Sequence, residues 1–171
     1  MDNALATDTP ALALRFAGPG DCPTILAFIR ELADYERLSH EVVADESRLM
    51  DTLFGDHPYA EVIIAELDGE AVGFALFFHN YSTFLAAPGI YLEDLYVRPV
   101  ARGHGIGQAL LTALARLAVA RGCGRLEWSV LDWNAPAIGF YERLGARAQD
   151  EWVGYRLTGD ALRGLAAVEA P

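Results

Sequence analysis

Apolar residues alternate in some stretches of this chain and recur every three or four positions in others. The two periods mark its elements. Residues 12–16 alternate and predict a first strand. Gly18-Pro19-Gly20-Asp21 is turn chemistry, with Asp21 placed to cap the next helix. That helix is expected over 23–38, with Ile25, Phe28, Ile29, Leu32 and Tyr35 or Glu36 on one face. A second is expected over 45–53, stopped by Phe54-Gly55-Asp56-His57-Pro58. Strands at 60–67 and 71–78 flank Asp68-Gly69, a strong hairpin signal. Residues 80–88 read as a loop and 90–97 as the central strand. A long helix to about 121 carries Leu110, Leu111, Leu114, Leu117 and Ala118 on one face, with Gly122 as a left-handed cap. A strand at 125–131, a helix at 137–144 capped by Asn134, a strand at 152–157 and a short terminal helix opened by Thr158 or Asp160 complete the series. The order implies a mixed α/β fold whose first half is antiparallel.

Two features inside this pattern point to chemistry. Glu93 and Asp94 are adjacent in a strand that is otherwise apolar on both faces. Neighbours in a regular strand point to opposite sides, so at least one carboxylate would enter a core. A β-bulge relieves this and re-aims the side chains, so a bulge is expected here, turning both acids toward a substrate. Next comes a loop with Gly103, Gly105 and Gly107 at alternate positions, followed directly by the long helix. Bare N–H groups, a helix dipole and the absence of Cβ atoms suit such a loop to a phosphate. A Walker loop would end in Lys-Ser or Lys-Thr, and none is present. A Rossmann fingerprint needs a glycine or alanine where Gln108 stands. What remains is Arg102-x-x-Gly105-x-Gly107; a glycine-rich turn without a ligand is the plainer alternative.

Composition narrows the partners. The 171 residues carry 24 Asp+Glu against 13 Lys+Arg, a net charge of -11. That weighs against nucleic acid or an anionic membrane and is compatible with a cationic substrate. The first residues are acidic and polar, unlike a signal peptide, and no apolar run is long enough to span a bilayer. Cys22 and Cys123 show no metal-ligand spacing and read as buried thiols. The four histidines show no triad or metal spacing, and no metal is expected. The expectation is a soluble cytoplasmic protein with a disordered tail, 1–11, and a single domain, 12–171.

The loop, the preceding Tyr-Leu-Glu-Asp, and the later run Trp133-Asn134-Ala-Pro-Ala-Ile-Gly-Phe140-Tyr141-Glu-Arg-Leu-Gly-Ala146 together resemble the GNAT acetyltransferase superfamily. Glu31-Leu32-Ala33-x-Tyr35-Glu36 and Phe54-Gly55-x-His57-Pro58 narrow the likeness to the spermidine/spermine (diamine) acetyltransferase branch. The resemblance implies the acyl-CoA N-acyltransferase fold: a mixed central sheet with a bulged, splayed central strand and flanking helices. It implies acetyl-CoA as cosubstrate, a small cationic amine as acceptor, and a homodimer.

It also implies roles. Tyr141 matches the general acid and Glu93 the base. Arg102, Gly103, His104, Gly105, Ile106, Gly107 and Gln108 would cradle the pyrophosphate. Backbone groups of Leu95, Tyr96 and Val97 would hold the acetyl oxygen and the pantetheine arm. Asn134 and Ala137 match cofactor-side positions, and Tyr35, Glu36, Glu93 and Asp94 would line the acceptor site. The chemistry fits these residue types. An alkylammonium has a pKa near about 10.4, so reaching the neutral amine near neutral pH costs roughly 4–5 kcal/mol. A carboxylate can collect that proton and a phenol can protonate the departing thiolate. One position departs from the branch. Its polyamine enzymes place a substrate acid before a Gly-aromatic-Arg run; here that place is Val153, with Asp150 and Glu151 just ahead. A smaller amine, such as a diamine or a lysine-like amino acid, is therefore open. A protein acetyltransferase and a non-catalytic acetyl-CoA-binding module are the other classes on the same scaffold.

Overall fold

The computed structural model describes residues 4–5 and 11–168. The chain forms two compact units, Met1–Ser129 and Val130–Pro171. The expected tail, 1–11, lies mostly outside the described residues. Its described pair Ala4–Leu5 is a short strand, β1, opposite Leu14 and Arg15.

The first unit is built on a six-stranded sheet in sequential order: β1, β2 (Leu12–Phe16), β3 (Glu61–Leu67), β4 (Glu70–Ser82), β5 (Ala87–Val97) and β6 (Leu126–Trp128). All pairings are antiparallel except β5 with β6. A parallel neighbour needs a crossover, and α3 (Ile106–Ala120) supplies it. The β3–β4 turn has Asp68 and Gly69 at φ 52° and 85°, the two left-handed residues that a tight hairpin of the primed type requires.

Residues opposite one another in a ladder share a face. One face carries Val62, Leu76 and Asp94 in one row and Ile64, Phe74 and Tyr96 in the next. Against it pack α1 (Cys22–Tyr35) and α2 (Glu46–Phe54), through Ile25, Leu26, Phe28, Leu49 and Leu53. Phe28 stacks on Phe74 at 5.4 Å between centroids and tilts against Tyr96 at 6.2 Å. Arg98 lies over the Phe28 ring, forks onto Glu31 of α1 and donates to the Ala71 carbonyl. The opposite face buries Ile63, Ala75, Phe77 and Leu92, and α3 adds Ile106, Leu110, Leu111 and Leu114 to the core. The second unit contains α4 (Ala135–Arg143) and α5 (Gly159–Ala166). No helix among the described residues is long and apolar enough to cross a membrane.

Several expectations are corrected. Helix α1 stops at Tyr35 because Arg37 adopts φ 63°; Leu38 and Arg37 donate back to the Ala33 and Asp34 carbonyls and close the end. Asp21 makes no side-chain cap on α1. Its carboxylate instead takes a two-pronged bond from Arg15 and one from the Gly18 N–H, which holds it below the usual carboxylate range; the Arg15 bond is the larger cause. The expected loop 80–88 is mostly ladder: β4 runs on to Ser82, paired with Ala87, and only a four-residue turn remains. The expected strand 152–157 is absent. Extended residues need a backbone partner, and apolar content alone does not provide one.

Because Phe28 joins α1 to both β4 and β5, Phe28→Ala is expected to cost about 3–5 kcal/mol. Urea denaturation followed by circular dichroism checks this; a loss below about 1 kcal/mol would mean that the stack is not central.

Candidate active site

The expected bulge is present, and its extra residue is Glu93. In the β4–β5 ladder Leu92 lies opposite Phe77 and Asp94 opposite Leu76, so Glu93 has no partner residue. One inserted residue exchanges the two faces for everything beyond it. Leu92 belongs to the α3 side with Phe77. Asp94 and Tyr96 pass to the α1 side with Leu76 and Phe74, while Leu95 takes the α3 side with Ala75. Parallel pairing with β6 also ends at Leu92, opposite Trp128, though β5 continues to Val97. The outer edge of 93–97 therefore has no neighbouring strand in this sheet.

Against the bulge lies a cleft of about 420 Å³. Glu93 and Asp94 form its floor. Ile29, Leu32, Ala33 and Glu36 line one wall from the last turns of α1. The connection after α1 lines the other with Leu38, Glu41, Val42, Val43 and Ala44. Four carboxylates and no basic side chain line it. The electrostatics follow. Burial, then Glu93, then Glu36 push the Asp94 carboxyl up to about 6. Burial alone raises Glu36. The three acids that sequence reasoning groups, Glu36, Glu93 and Asp94, share this lining with Glu41, which it does not single out. Its only signal is an acid beside two valines after a helix end, a pattern with no specific meaning.

Tyr35 is not in this lining. Its ring lies under the Arg102 guanidinium, 5.0 Å away, and Arg102 also sits 5.9 Å over Tyr96. Arg102 Nε donates to the Val97 carbonyl at 2.9 Å. Arg102, itself exposed, thus ties the glycine loop to the end of β5 and to α1. The loop itself has Gly103 at φ 83° and Gly105 at φ 74°, left-handed positions that disfavour any other residue. A Cβ built on either glycine meets no atom within 4 Å, so the ground above the loop is open. His104 Nδ1 lies within hydrogen-bond reach of the Ala101 and Arg102 carbonyls. Gly105 begins α3 with no side-chain cap, leaving the N–H groups of Ile106, Gly107 and Gln108 without intrahelical acceptors. Donors, dipole and open space together fit a diphosphate-bearing ligand.

In the second unit, Asn134 caps α4 by accepting from the Ala137 N–H at 3.4 Å. Asn134 is buried, while Ala137 and Tyr141 are half-buried. The Tyr141 ring lies 5.4 Å from Phe140, and Gly145, at φ 89°, closes the helix. The first unit thus holds Glu36, Glu93, Asp94 and the loop 102–108; the second holds Asn134, Ala137 and Tyr141.

Known proteins resemble this chain over most of its length. The sequence profile described as the acetyltransferase (GNAT) family matches residues 26–146. A thialysine N-epsilon-acetyltransferase of Sus scrofa is 41% identical over 91% of this chain and 98% of its own length. An L-ornithine N5-acetyltransferase of Arabidopsis thaliana is 38% identical over 89% of this chain and 86% of its own. Among solved structures, an integron cassette protein from the mobile metagenome of V. cholerae superposes with a TM-score of 0.78 at 28% identity, covering 92% of this chain and 99% of that one.

The raised Asp94 carboxyl has a consequence for stability. An unfolded aspartate titrates near about 3.9, below the folded value of about 6. Its contribution to folding is therefore fully present below the lower value and is lost as pH rises through the upper one. Asp94→Asn is never charged. It is expected to melt higher than the native protein near pH 8, and the gap should close as pH falls toward about 4. Thermal melts across that range check it; a gap that does not change with pH would contradict the desolvated carboxylate.

Proposed function

The chain belongs to the acetyltransferase (GNAT) family, and on that footing we propose that it transfers the acetyl group of acetyl-CoA to the terminal primary amine of a small cation. The acidic cleft carries this reading: four carboxylates and no base line it, directly beside the bulge. Negative charge without an internal counter-ion favours a ligand that brings its own positive charge. Apolar residues of α1 and of 42–44 complete the lining and suit a short methylene chain. Relatives that act on ornithine and thialysine support a substrate of that size, as both molecules carry a primary amine at the end of a short chain. Val153, at the position of a substrate acid in the polyamine branch, supports the smaller amines over spermidine and spermine.

In this reading the loop 102–108 receives the pyrophosphate through backbone N–H groups, with the first turn of α3 adding donors and dipole. Backbone groups of Leu95, Tyr96 and Val97, on the edge that β6 leaves, hold the acetyl carbonyl and the pantetheine amides. Donors fixed there stabilise the oxyanion as the nitrogen adds. Carboxylates at the bulge take the ammonium proton, a role that the resemblance gives to Glu93, and Tyr141 protonates the leaving sulfur. Asn134 and Ala137 complete the cofactor side. The family match runs from 26 to 146, across Ser129, which supports a single domain over 12–171. Trp152 and Tyr155 are 76% and 96% exposed, and an aromatic run so open supports a homodimer through this C-terminal stretch. Free Cys22 and Cys123 support a reducing, cytoplasmic setting, and the acidic balance supports neither nucleic acid nor membrane as a partner.

Thiol release from acetyl-CoA tests this against putrescine, spermidine, spermine, lysine, ornithine, thialysine and a basic peptide. Release is expected with the small amines. Tyr141→Phe should lower it about 10²–10⁴-fold while acetyl-CoA binding persists. Release with the peptide alone would move the acceptor to protein, and no release with any amine would end the proposal.

A further inference from the structure

Resting on the acetyl-transfer reading, we infer that Tyr35 is a positioning residue: its ring is the platform on which Arg102 holds the glycine loop in line with the acidic cleft. The resemblance places Tyr35 against the acceptor. In the structure its ring meets Arg102 instead, and the next residue, Glu36, takes the place in the cleft lining.

The contact is the last of three along one face of α1. Phe28, Glu31 and Tyr35 are spaced by three and then four residues, so they stand one above another on the helix. Each is met from the end of β5 or from the chain just beyond it. Phe28 meets Tyr96 and lies under Arg98, and Glu31 takes the fork of Arg98. Tyr35 takes the guanidinium of Arg102, 5.0 Å from its ring centroid. The first two contacts fix the middle of the helix to the sheet. The third joins its last turn to the glycine loop, because Arg102 directly precedes Gly103. Arg102 Nε is also bonded to the Val97 carbonyl, and the same guanidinium lies 5.9 Å over Tyr96. One planar cation thus meets the helix that lines the cleft and the strand that carries the bulge.

What this contact supplies is placement. Tyr35 is 39% exposed and Arg102 is exposed, and a cation–π pair so open to water adds little to global stability. The loop cannot set its own position with side chains at Gly103 and Gly105, where a Cβ would meet no atom within 4 Å. Each side of the contact carries one half of the site. The loop offers its N–H groups to the pyrophosphate, and the end of α1 offers Glu36 and its apolar neighbours to the amine. The amine nitrogen has to meet the acetyl carbon along one line, and a misplacement of about 1 Å can cost 100-fold in rate. Tyr35 acts on that rate through Arg102.

The test compares wild type, Tyr35→Phe, Tyr35→Leu, Arg102→Gln, Arg102→Lys and the double variant Tyr35→Leu/Arg102→Gln, with the best amine of the panel. Tyr35→Leu should lower kcat about 10–100-fold while its melting temperature and acetyl-CoA affinity stay near wild type. Tyr35→Phe keeps a ring under the guanidinium and should retain the rate. Arg102→Lys offers neither the plane nor the Nε donor and should not. The double variant should lose no more than Arg102→Gln alone, since the two side chains act as a unit. A second readout needs no ligand. The amides of Glu36 and Leu38, which close α1 onto the Leu32 and Ala33 carbonyls, should exchange faster in Arg102→Gln and Tyr35→Leu, and not in Tyr35→Phe. The inference is overturned by equal losses in Tyr35→Phe and Tyr35→Leu, by a change in amine KM alone, by additive losses in the double variant, or by unchanged exchange in Arg102→Gln. Wild type without turnover on any amine would overturn the acetyl-transfer reading and this inference with it. An active wild type whose kcat is indifferent to Tyr35→Leu would overturn the inference alone.

Discussion

One extra residue in one strand organises this protein. Without Glu93 as an insertion, β5 would keep its earlier register and Asp94 would turn to the α3 side with Leu92. A carboxylate would then face the packed helix that buries Leu110 and Leu114, at a cost of several kcal/mol. The bulge sends it to the other side, where α1 ends and leaves room. The exchange that places Asp94 in the cleft also places Tyr96 in the core against Phe28. Apolar packing of Tyr96 therefore anchors the position of the acid, and the two requirements are met by one backbone irregularity.

The cleft is an electrostatic liability in the free protein. Two glutamates of α1 and its end show the contrast. Glu31 is matched by Arg98 through a forked bond. Glu36, little more than one turn later, has no ion pair among the described residues, and burial raises its carboxyl. Elsewhere the sheet pairs its charges: Arg15 with Asp21 and Glu66, Arg121 with Glu61, Arg125 with Glu127. The sheet's cations are thus spent away from the place where α1, the connection after it and the bulge meet. Glu36 and Asp94, without ion pairs among the described residues, oppose folding in their half-buried cleft, and a core built from Phe28, Phe74, Ile63, Ile64 and Leu114 has to offset them. Such local disagreement between stability and placement marks sites kept for binding.

Much of this is legible in the sequence, for reasons that differ by element. Adjacent Glu93 and Asp94 in an apolar strand break the two-residue period, and a broken period has few remedies, so the bulge can be read directly. Asp68-Gly69 names its turn because few residue pairs tolerate two positive φ angles. The end of α1 is not legible: Arg37 takes a left-handed conformation with no glycine to signal it, and only tertiary context selects it. Asp21 reads as a cap because local sequence does not show Arg15, which reaches it across the turn with a stronger, charge-assisted bond. The strand expected at 152–157 fails on the same ground, since aromatic content cannot supply a pairing edge. Family likeness places Tyr35 at the acceptor, whereas its ring supports Arg102.

That support joins the glycine loop to the acidic cleft. The acids sit at the middle of β5, and the glycine loop begins a few residues after its end. For two reactants held at two such places, misplacement by about 1 Å can cost 100-fold in rate. Arg102 spans the two places. Its Nε is bonded to the Val97 carbonyl at the end of the strand, and its guanidinium lies 5.0 Å over the Tyr35 ring and 5.9 Å over the Tyr96 ring. The Arg102 side chain, to which the resemblance gives only a secondary part beside the backbone donors of the loop, makes these contacts while remaining exposed. It fixes the loop to the same strand that carries Asp94 and to the helix whose end carries Glu36, so glycine loop and acidic cleft share one frame.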